Sequence, residues 1–316
     1  MMYCRQEAVL SSQIEGTQAS LADLLEFEAE QDTATKTVDV AEVLNYLKAL
    51  SNGLRLLQEL PVCNRLLCRV HAVLMADVRG GKPGKTPGAF RTSQNWIGGT
   101  RPGNAVFVPP PPWEVPKAMG DLEKFLNTDK PMPFLVEVAL AHAQFETIHP
   151  FLDGNGRVGR LLIMLLLASR GALQSPLLYL SHYFKQHRDE YYARLQAIRT
   201  EGDWEGWLTF FLTGVQAVAQ EAAQRARLII ELVRLDKDLI TLKLGRRAAN
   251  ALRLHDQLIK QPIVTGRLLR ERLGLSEPTI NSLLNALIEI RILRQRGGEK
   301  WRRKYAYHRY LELFTS

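Results

Sequence analysis

Apolar residues recur at intervals of three and four along most of this 316-residue chain, the spacing that places them on one face of a helix. The pattern predicts a mainly α-helical protein. The longest apolar run, Leu161 to Ala168, is far too short to cross a bilayer, so no membrane association is expected. The predicted helices cover residues 9–25 (as one helix or two), 40–57, 66–74, 113–126, 134–148, 155–169, 191–200 and 204–238.

The helical pattern stops between residues 79 and 112, where glycine and proline are frequent. Within this stretch, residues 96–99 and 106–108 are predicted to pair as a short β-hairpin. A connection of this length inside a compact helical domain is usually functional or mobile. We therefore take residues 79–112 as a candidate functional loop.

The C-terminal part of the chain has a different texture from about residue 248. Gly274 separates two short helical patterns, and Ser276 and Pro278 suit the start of the second as N-cap and first-turn residues. Two strand-like segments follow, which makes this part typical of a helix-turn-helix with a β-wing. The predicted elements are helices at 252–259, 265–273 and 278–290, and strands at 292–294 and 304–307.

Positive charge is concentrated in this same part. The chain has 41 Lys and Arg against 33 Asp and Glu, a net charge of +8. Residues 245–316 contain 15 basic and 6 acidic residues, a net of +9 (15 − 6), so the rest of the chain is nearly neutral. The predicted organisation is a first region at 1–30, a helical domain at 31–240 and a winged helix domain at 241–316.

The composition is that of a soluble globular protein, with 46% hydrophobic and 23% charged residues. Cys4, Cys63 and Cys68 form no Cys-x-x-Cys pair, so neither a disulfide framework nor a cysteine zinc site is expected. Arg5 and Glu7 interrupt any apolar segment at the start, so no signal peptide is expected. These features favour a cytoplasmic protein.

One segment concentrates residues with chemical potential: His-Pro-Phe-Leu-Asp-Gly-Asn-Gly-Arg-Val-Gly-Arg, at 149–160. It contains the Gly-x-Gly-x-x-Gly spacing of a dinucleotide site, but a helical pattern precedes it where that motif needs a strand. The Walker spacing also occurs, but Arg160-Leu161 replace the required Lys-Ser/Thr. A calcium loop starting at Asp153 would need a glutamate where Met164 stands.

A phosphate cradle of another design fits the segment better. A helix beginning near Asn155 directs free N–H groups and a positive dipole at an anion. Gly154 and Gly156 allow the backbone to approach phosphate oxygens closely. Arg157 and Arg160 can bind those oxygens in bidentate fashion.

Two further residues complete a possible reaction centre. Asp153 offers a hard oxygen ligand for Mg²⁺, which commonly binds one carboxylate plus phosphate oxygens. His149 lies just before the loop and can take a proton from an attacking hydroxyl. Phe151 is more simply explained as a core residue that fixes the loop.

The segment resembles the Fic (Fic/Doc) motif, His-x-Phe-x-Asp/Glu-Gly-Asn-Gly/Lys-Arg-x-x-Arg, and matches it at every constrained position. Residues 11–16, Ser-Ser-Gln-Ile-Glu-Gly, are similar to the family's inhibitory helix motif, Ser/Thr-x-x-x-Glu-Gly/Asn. Ile97, Gly98 and Gly99 resemble the flap that holds a target segment, and Tyr191-Tyr192 resemble the aromatic pair near the adenine. A C-terminal winged helix also occurs in many Fic proteins.

The resemblance implies a Fic-type helical bundle with a short β-hairpin flap, followed by a winged helix-turn-helix. It implies a protein adenylyltransferase that moves AMP from ATP to a Ser, Thr or Tyr hydroxyl of a protein, possibly of itself. A homodimer is common in similar proteins. The implied roles are His149 as general base, Asp153 as the Mg²⁺ ligand, Gly154, Asn155, Gly156, Arg157, Gly159 and Arg160 as phosphate-binding residues, Tyr192 as adenine-stacking residue, and Glu15 as the inhibitory residue that pairs with Arg160.

Other functions stay open from the sequence. The same site could transfer another nucleotide such as UMP, or remove AMP by water attack with assistance from Glu15. The chain could instead be a DNA-binding regulator whose helical domain senses nucleotide. The helix predicted at 278–290 offers few base-reading side chains. The basic cluster that could contact phosphates comprises Arg294, Arg296, Lys300, Arg302, Arg303 and Lys304.

Overall fold

The computed structural model describes residues 2–30, 37–78, 86–171, 178–297 and 303–315. Contacts divide the chain into two compact units, one of residues 3–19 and 41–219, the other chiefly of residues 20–40 and 220–316. These units do not follow the predicted boundaries. Residues 20–30 pack with the C-terminal part, and the predicted limit at 240 lies inside one continuous helix, Trp204–Leu244.

The larger unit is helical and is built around α7, Asn155–Ser169. This helix is buried on all sides from Asn155 to Leu167, apart from Gly156, because its sequence is apolar without interruption from Leu161 to Leu167. It packs against α6 (Phe134–Ile148) and α4 (Asn64–Leu74). The helices of this unit are α1 (Met2–Ile14), α3 (Val38–Leu56), α4 (Asn64–Leu74), α5 (Val115–Asn127), α6 (Phe134–Ile148), α7, α8 (Ser181–Gln186), α9 (Arg188–Glu201) and the first half of α10 (Trp204–Leu244).

The predicted hairpin in the 79–112 loop is present as one antiparallel bridge between Ile97 and Phe107. Ile97 N donates to Phe107 O at 2.9 Å, and Val106 N donates to Ile97 O at 2.9 Å. Gly99 has a φ of 66°, and a Cβ there would lie 2.3 Å from the carbonyl oxygen of Asn104. The turn therefore requires glycine at this position. Residues 79–85 of the loop lie outside the described residues.

The smaller unit contains two helices at the positions predicted for a helix-turn-helix, α12 (Gly266–Leu273) and α13 (Glu277–Glu289). Gly274 closes α12 with a φ of 66°, and Ser276 is the N-cap of α13. A three-stranded antiparallel sheet, in the order β1-β3-β2, aligns Ala306 with Ile263 on one side and Arg294 on the other. Its elements are α2 (Leu21–Glu30), the second half of α10, α11 (Ala248–Lys260), β1 (Ile263–Thr265), α12 (Gly266–Leu273), α13 (Glu277–Glu289), β2 (Arg294–Arg296), β3 (Lys304–Ala306) and α14 (His308–Thr315).

The first wing strand begins two residues later than predicted. The amides of Ile292 and Leu293 both donate to the carbonyl of Leu287, so these buried residues close α13 before β2 starts. Strand β1 and helix α14 were not predicted. No described helix is long and apolar enough to span a membrane.

Helix α2 lies against the sheet of the smaller unit and neutralises part of its basic wing. Lys304 Nζ bonds Glu26 at 2.8 Å and also contacts Glu30, and Arg296 lies 3.5 Å from Glu26. Part of the predicted phosphate-binding charge is therefore paired within the chain. Lys300 and Arg302 lie outside the described residues.

Candidate active site

The predicted reaction loop joins the end of α6 to the start of α7. His149 ends α6 in the left-handed conformation, with φ 49° and ψ 60°, which is uncommon for a residue with a side chain. Gly154 is also left-handed, with φ 78°, and directly precedes α7. A Cβ at Gly154 would lie 2.7 Å from the sulfur of Met75, so both backbone and space favour glycine.

Arg91 holds this loop from outside it. Its side chain is buried, and its Nε donates to the carbonyl of His149 at 2.9 Å. Its backbone N–H donates to Pro150 O at 2.9 Å, and its guanidinium also reaches Pro110 O at 2.5 Å. Asn95 adds a bond from its side-chain amide to Phe151 O at 2.9 Å. Neither residue was predicted, because nothing in the surrounding Gly- and Pro-rich sequence marks it.

Phe151 is the buried anchor that the sequence suggested. Its ring stacks on His71, with the centroids 3.8 Å apart and the planes 9° from parallel. His71 Nδ1 accepts the Gly88 N–H at 2.8 Å, so Nε2 bears the hydrogen and donates to Asp153 O at 3.0 Å. Burial lowers the pKa of His71 to about 4, so the ring is neutral at pH 7 and serves the loop structurally.

The side chain of Asn155 is bonded within the loop. Its Oδ1 accepts the Phe151 N–H at 2.8 Å, and its Nδ2 donates to Phe151 O at 2.7 Å. Both polar atoms of the side chain thus close the loop. The Gly154 N–H is also engaged, since it donates to Asp153 Oδ1 at 2.6 Å.

Arg157 is a buried cation, and two of its nitrogen atoms are not hydrogen-bonded within the described residues. Its Nη2 lies 3.6 Å from the sulfur of Met75 and 3.9 Å from Asp153 Oδ1. Its Nε and Nη1 have no hydrogen-bond partner among the described residues. Because buried donors are normally satisfied, this arrangement fits a place where an anion is received.

Arg160 is also buried, but its Nε and Nη2 atoms bond to Ser11 of α1 and to Glu15, the residue that follows this helix. Nε donates to Ser11 Oγ at 2.8 Å, and Nη2 donates to Ser11 O at 3.0 Å and to Glu15 Oε1 at 2.7 Å. Burial alone would raise the pKa of Glu15, but Arg160 more than offsets it and the pKa is lowered. Glu15 and Arg160, predicted to pair from the sequence, are therefore in contact as ions.

Glu15 also lies against the backbone of Gly156. A Cβ at Gly156 would be 2.3 Å from Glu15 Oε1. The Glu15 carboxylate therefore occupies the space beside the first turn of α7, where the free N–H groups of a helix start are found.

His149 is largely buried, with 19% of its side chain exposed. Burial lowers its pKa to about 4, and Arg199 acts in the same direction. The imidazole is therefore neutral at pH 7 and able to accept a proton. Glu146, one turn earlier on α6, is a further residue that was not predicted; its Oε2 lies 4.0 Å from His149 Nδ1.

The two adjacent tyrosines differ in environment. Tyr191 is buried, and its hydroxyl lies 2.8 Å from Nε2 of His142, whose Nδ1 lies 3.0 Å from Gly159 O. Tyr192 is 38% exposed, with the Arg188 guanidinium 5.4 Å from its ring centroid. Tyr191 packs in the interior, whereas part of Tyr192 is exposed.

The flap residues lie in the same compact unit as the loop. Gln196 Nε2 donates to Val106 O at 3.3 Å, and the Arg199 guanidinium lies 4.2 Å from the Phe107 ring centroid. Gly98 and Gly99 are exposed. Beyond its one bridge to Phe107, the segment at Ile97 offers backbone that an incoming strand could pair with.

The side chains available as metal ligands determine what kind of Mg²⁺ site is possible. Among the described residues no group of three or more His, Cys, Asp or Glu side chains could hold a metal. Asp153 supplies one carboxylate whose side chain is 36% exposed. A single carboxylate fits a Mg²⁺ ion that takes its other ligands from phosphates and water, and does not fit an all-protein cage.

Two family models match the chain. Residues 1–55 match the Fic/DOC family N-terminal model, and residues 61–167 match the Fic/DOC family model. The first match includes α1 with Glu15, and the second includes the whole loop from His149 to Arg160.

Curated relatives match over part of their length. A probable protein adenylyltransferase of Aquifex aeolicus is 30% identical over 169 residues, 54% of this chain and 49% of the relative. The protein adenylyltransferase Fic of Aedes aegypti is 38% identical over 125 residues, 39% of this chain and 22% of the relative. The chain thus matches about half or less of these proteins.

Solved structures share the fold. A Fic family protein from Desulfovibrio desulfuricans G20 superposes with a TM-score of 0.59 at 22% identity, over 96% of this chain and 86% of that one. Fic-1 from C. elegans gives a TM-score of 0.52 at 21% identity, over 69% and 62% of the two chains. The predicted fold class, mainly α with a Fic-type bundle, is confirmed.

Proposed function

Because the chain belongs to the Fic/DOC family, we propose that it is a protein adenylyltransferase that transfers AMP from ATP to a Ser, Thr or Tyr hydroxyl of a target protein, and that α1 restrains it. The observation that supports this most is the pairing of a neutral His149 with two buried arginines at the start of α7. A base and an anion site at the two ends of one short loop suit attack by a hydroxyl on a phosphorus.

In the proposed reaction, His149 takes the proton of the target hydroxyl as its oxygen forms a bond to the α-phosphorus. The bond from the α-phosphorus to the bridging oxygen breaks, and pyrophosphate leaves. Arg157 binds phosphate oxygens through Nε and Nη1, the donors that have no partner among the described residues, and Tyr192 stacks on the adenine. Asp153 would hold the Mg²⁺ that accompanies ATP, and the ion would neutralise phosphate charge. The flap at Ile97 to Gly99 aligns the target segment by backbone hydrogen bonds.

The proposed restraint acts through Arg160. Glu15 occupies the guanidinium that would bind the terminal phosphate, and it also occupies the space over Gly156. ATP that binds without this arginine is held with its α-phosphate out of line for attack. Removing the Glu15 carboxylate should therefore increase transfer by about tenfold or more, if the restrained state is the major one.

The experiment uses ATP labelled at the α- or the γ-phosphate, with cell lysate as the source of targets. Glu15→Gly should leave α-label on protein and no γ-label, and wild type should give much less. His149→Ala in the Glu15→Gly background is the matched negative control, since it keeps the fold and removes the base. Equal labelling by wild type and by Glu15→Gly would refute the proposed restraint by Glu15. Labelling by the His149→Ala form would refute the proposed mechanism.

The same assay separates the alternatives. Stronger labelling from UTP than from ATP would change the transferred group. Loss of label from a purified modified target in the presence of wild type, and not of Glu15→Gly, would favour removal of AMP over its transfer.

A further inference from the structure

Glu146 is a buried carboxylate that the proposed reaction does not yet use. It is 6% exposed and lies one turn before His149 on α6. Its Oε2 is 4.0 Å from His149 Nδ1, and its Oε1 has no hydrogen-bond partner among the described residues. A Cβ at Gly159 would lie 2.2 Å from Oε1, so the carboxylate fits here only because residue 159 has no side chain.

Charged groups from two other helices and from Glu15, the residue after α1, act on Glu146. Burial raises the pKa of Glu146 to about 7, Glu15 acts in the same direction, and Arg160 on α7 and Arg199 on α9 oppose them. Burial raises the pKa of Tyr191 on α9, and the negative charge of Glu146 acts in the same direction. With Glu15 docked, a substantial fraction of Glu146 is therefore protonated near neutral pH.

We infer that Glu146 is a positioning residue for His149, and that its ionised carboxylate accepts the Nδ1–H of the imidazole and stabilises the imidazolium. The inference rests on the proposed function.

The chemistry needs only a small movement. Shortening the separation from 4.0 Å to about 3 Å would make a hydrogen bond from Nδ1–H to the carboxylate. That bond fixes the hydrogen on Nδ1, so the lone pair on Nε2 is available to the target hydroxyl. When Nε2 takes the proton, the resulting positive charge lies beside a negative one. A neutral Glu146 would leave His149 with its lowered pKa and therefore a weak base.

The rate of AMP transfer should depend on pH through the ionisation of Glu146. Removing Glu15 removes a negative neighbour, so the pKa of Glu146 falls below its value in the docked state. In a Glu15→Gly parent, transfer should rise with pH as Glu146 ionises and then stay high. Glu146→Gln removes that ionisation, so its profile should lack this rise and remain low throughout.

The test compares Glu146→Gln and Glu146→Asp in the Glu15→Gly parent, with Glu205→Gln as a control for an exposed glutamate of the same unit. We expect Glu146→Gln to lower kcat about 10- to 100-fold, the usual effect of losing an orienting partner. The KM for ATP should change by no more than about twofold, because Glu146 is not placed on the nucleotide. The Asp variant should keep the pH-dependent rise, and Glu205→Gln should equal the parent.

A second readout does not depend on transfer. The Cε1 proton of His149, assigned by its loss in His149→Ala, should titrate at lower pH in Glu146→Gln than in the parent, because an adjacent carboxylate favours the imidazolium. Unchanged kcat, an unchanged pH profile or an unchanged His149 titration would each overturn the inference. So would a loss of kcat matched by an equal loss of ATP affinity, which would indicate a structural role. If the parent itself transfers no AMP, the proposed function fails and the inference falls with it; activity in the parent with no effect of Glu146→Gln refutes the inference alone.

Discussion

Replacing Glu7 with alanine should release α1 and increase AMP transfer by a chain that still contains Glu15. Glu7 is buried in the middle of α1 and joins that helix to two others. Its Oε1 accepts the Ser181 hydroxyl at 2.5 Å and the Tyr46 hydroxyl at 3.1 Å, and its Oε2 accepts the Ser181 N–H at 3.1 Å. No other acceptor in α1 binds α3 and α8 together in this way among the contacts described.

The magnitude follows from the groups left behind. Removing a buried acceptor leaves donors unsatisfied and costs about 1–3 kcal/mol. If that loss falls on the docked state of α1, the ratio of released to docked helix rises by roughly 5- to 150-fold. Transfer should rise by up to the same factor, with the rate of Glu15→Gly as its upper limit.

Initial rates of α-label incorporation into a purified target would measure this effect. Lys185→Ala is the matched control, because Lys185 also contacts α1, through Gln13 at 2.6 Å, but the contact is exposed and should contribute little. In the Glu15→Gly background, Glu7→Ala should add nothing, since no restraint remains to be relieved. An equal increase in both backgrounds would show that Glu7 does not act by docking Glu15, and would refute the reasoning.

Three further outcomes are expected. Arg91→Met should lower kcat at least about tenfold and the melting temperature by several degrees, because several buried hydrogen bonds to the reaction loop are lost. An unchanged kcat would contradict the role of Arg91 in holding this loop. Tyr192→Ala should raise the KM for ATP about tenfold with little change in kcat, while Tyr192→Phe should match wild type, because base stacking contributes about 1–3 kcal/mol. Glu26→Gln combined with Glu30→Gln should strengthen duplex DNA binding in low-salt gel shifts, because Lys304 loses both partners; no binding by either form would discard the DNA-binding function.

The sequence identified the helices that frame the reaction loop with their observed ends. Phe134–Ile148 and Asn155–Ser169 are long enough for apolar periodicity to be clear, and Pro133 and Gly171 bracket them. Strand β1 and helices α8 and α14, which are three to eight residues long, were missed. Equally short elements such as α12 were predicted where a turn residue, here Gly274, marks the end of the element.

The site was predictable in its chemistry and only partly in its geometry. His149, Arg157 and Arg160 stand in one recognisable string, and the pairing of Arg160 with Glu15 was expected from a second motif. Arg91 and Glu146 were missed because their contacts join distant parts of the chain or fall outside the constrained positions of the motif. A sequence pattern names residue types at fixed spacing, and it does not show which buried polar atoms those residues leave unsatisfied.

Two glycines of the motif make room for carboxylates beside the first turns of α7. Glycine at 156 was interpreted as allowing phosphates to approach, yet in the structure its missing side chain makes room for Glu15 Oε1, 2.3 Å from where a Cβ would be. Gly159 makes room for Glu146 in the same manner, at 2.2 Å. Under the proposed function, the bare first turns of α7 must receive phosphate oxygens when Glu15 leaves. Glu15 and the phosphates of ATP would then compete for this backbone and for Arg160, so displacement of Glu15 would be the step that frees the surface for ATP.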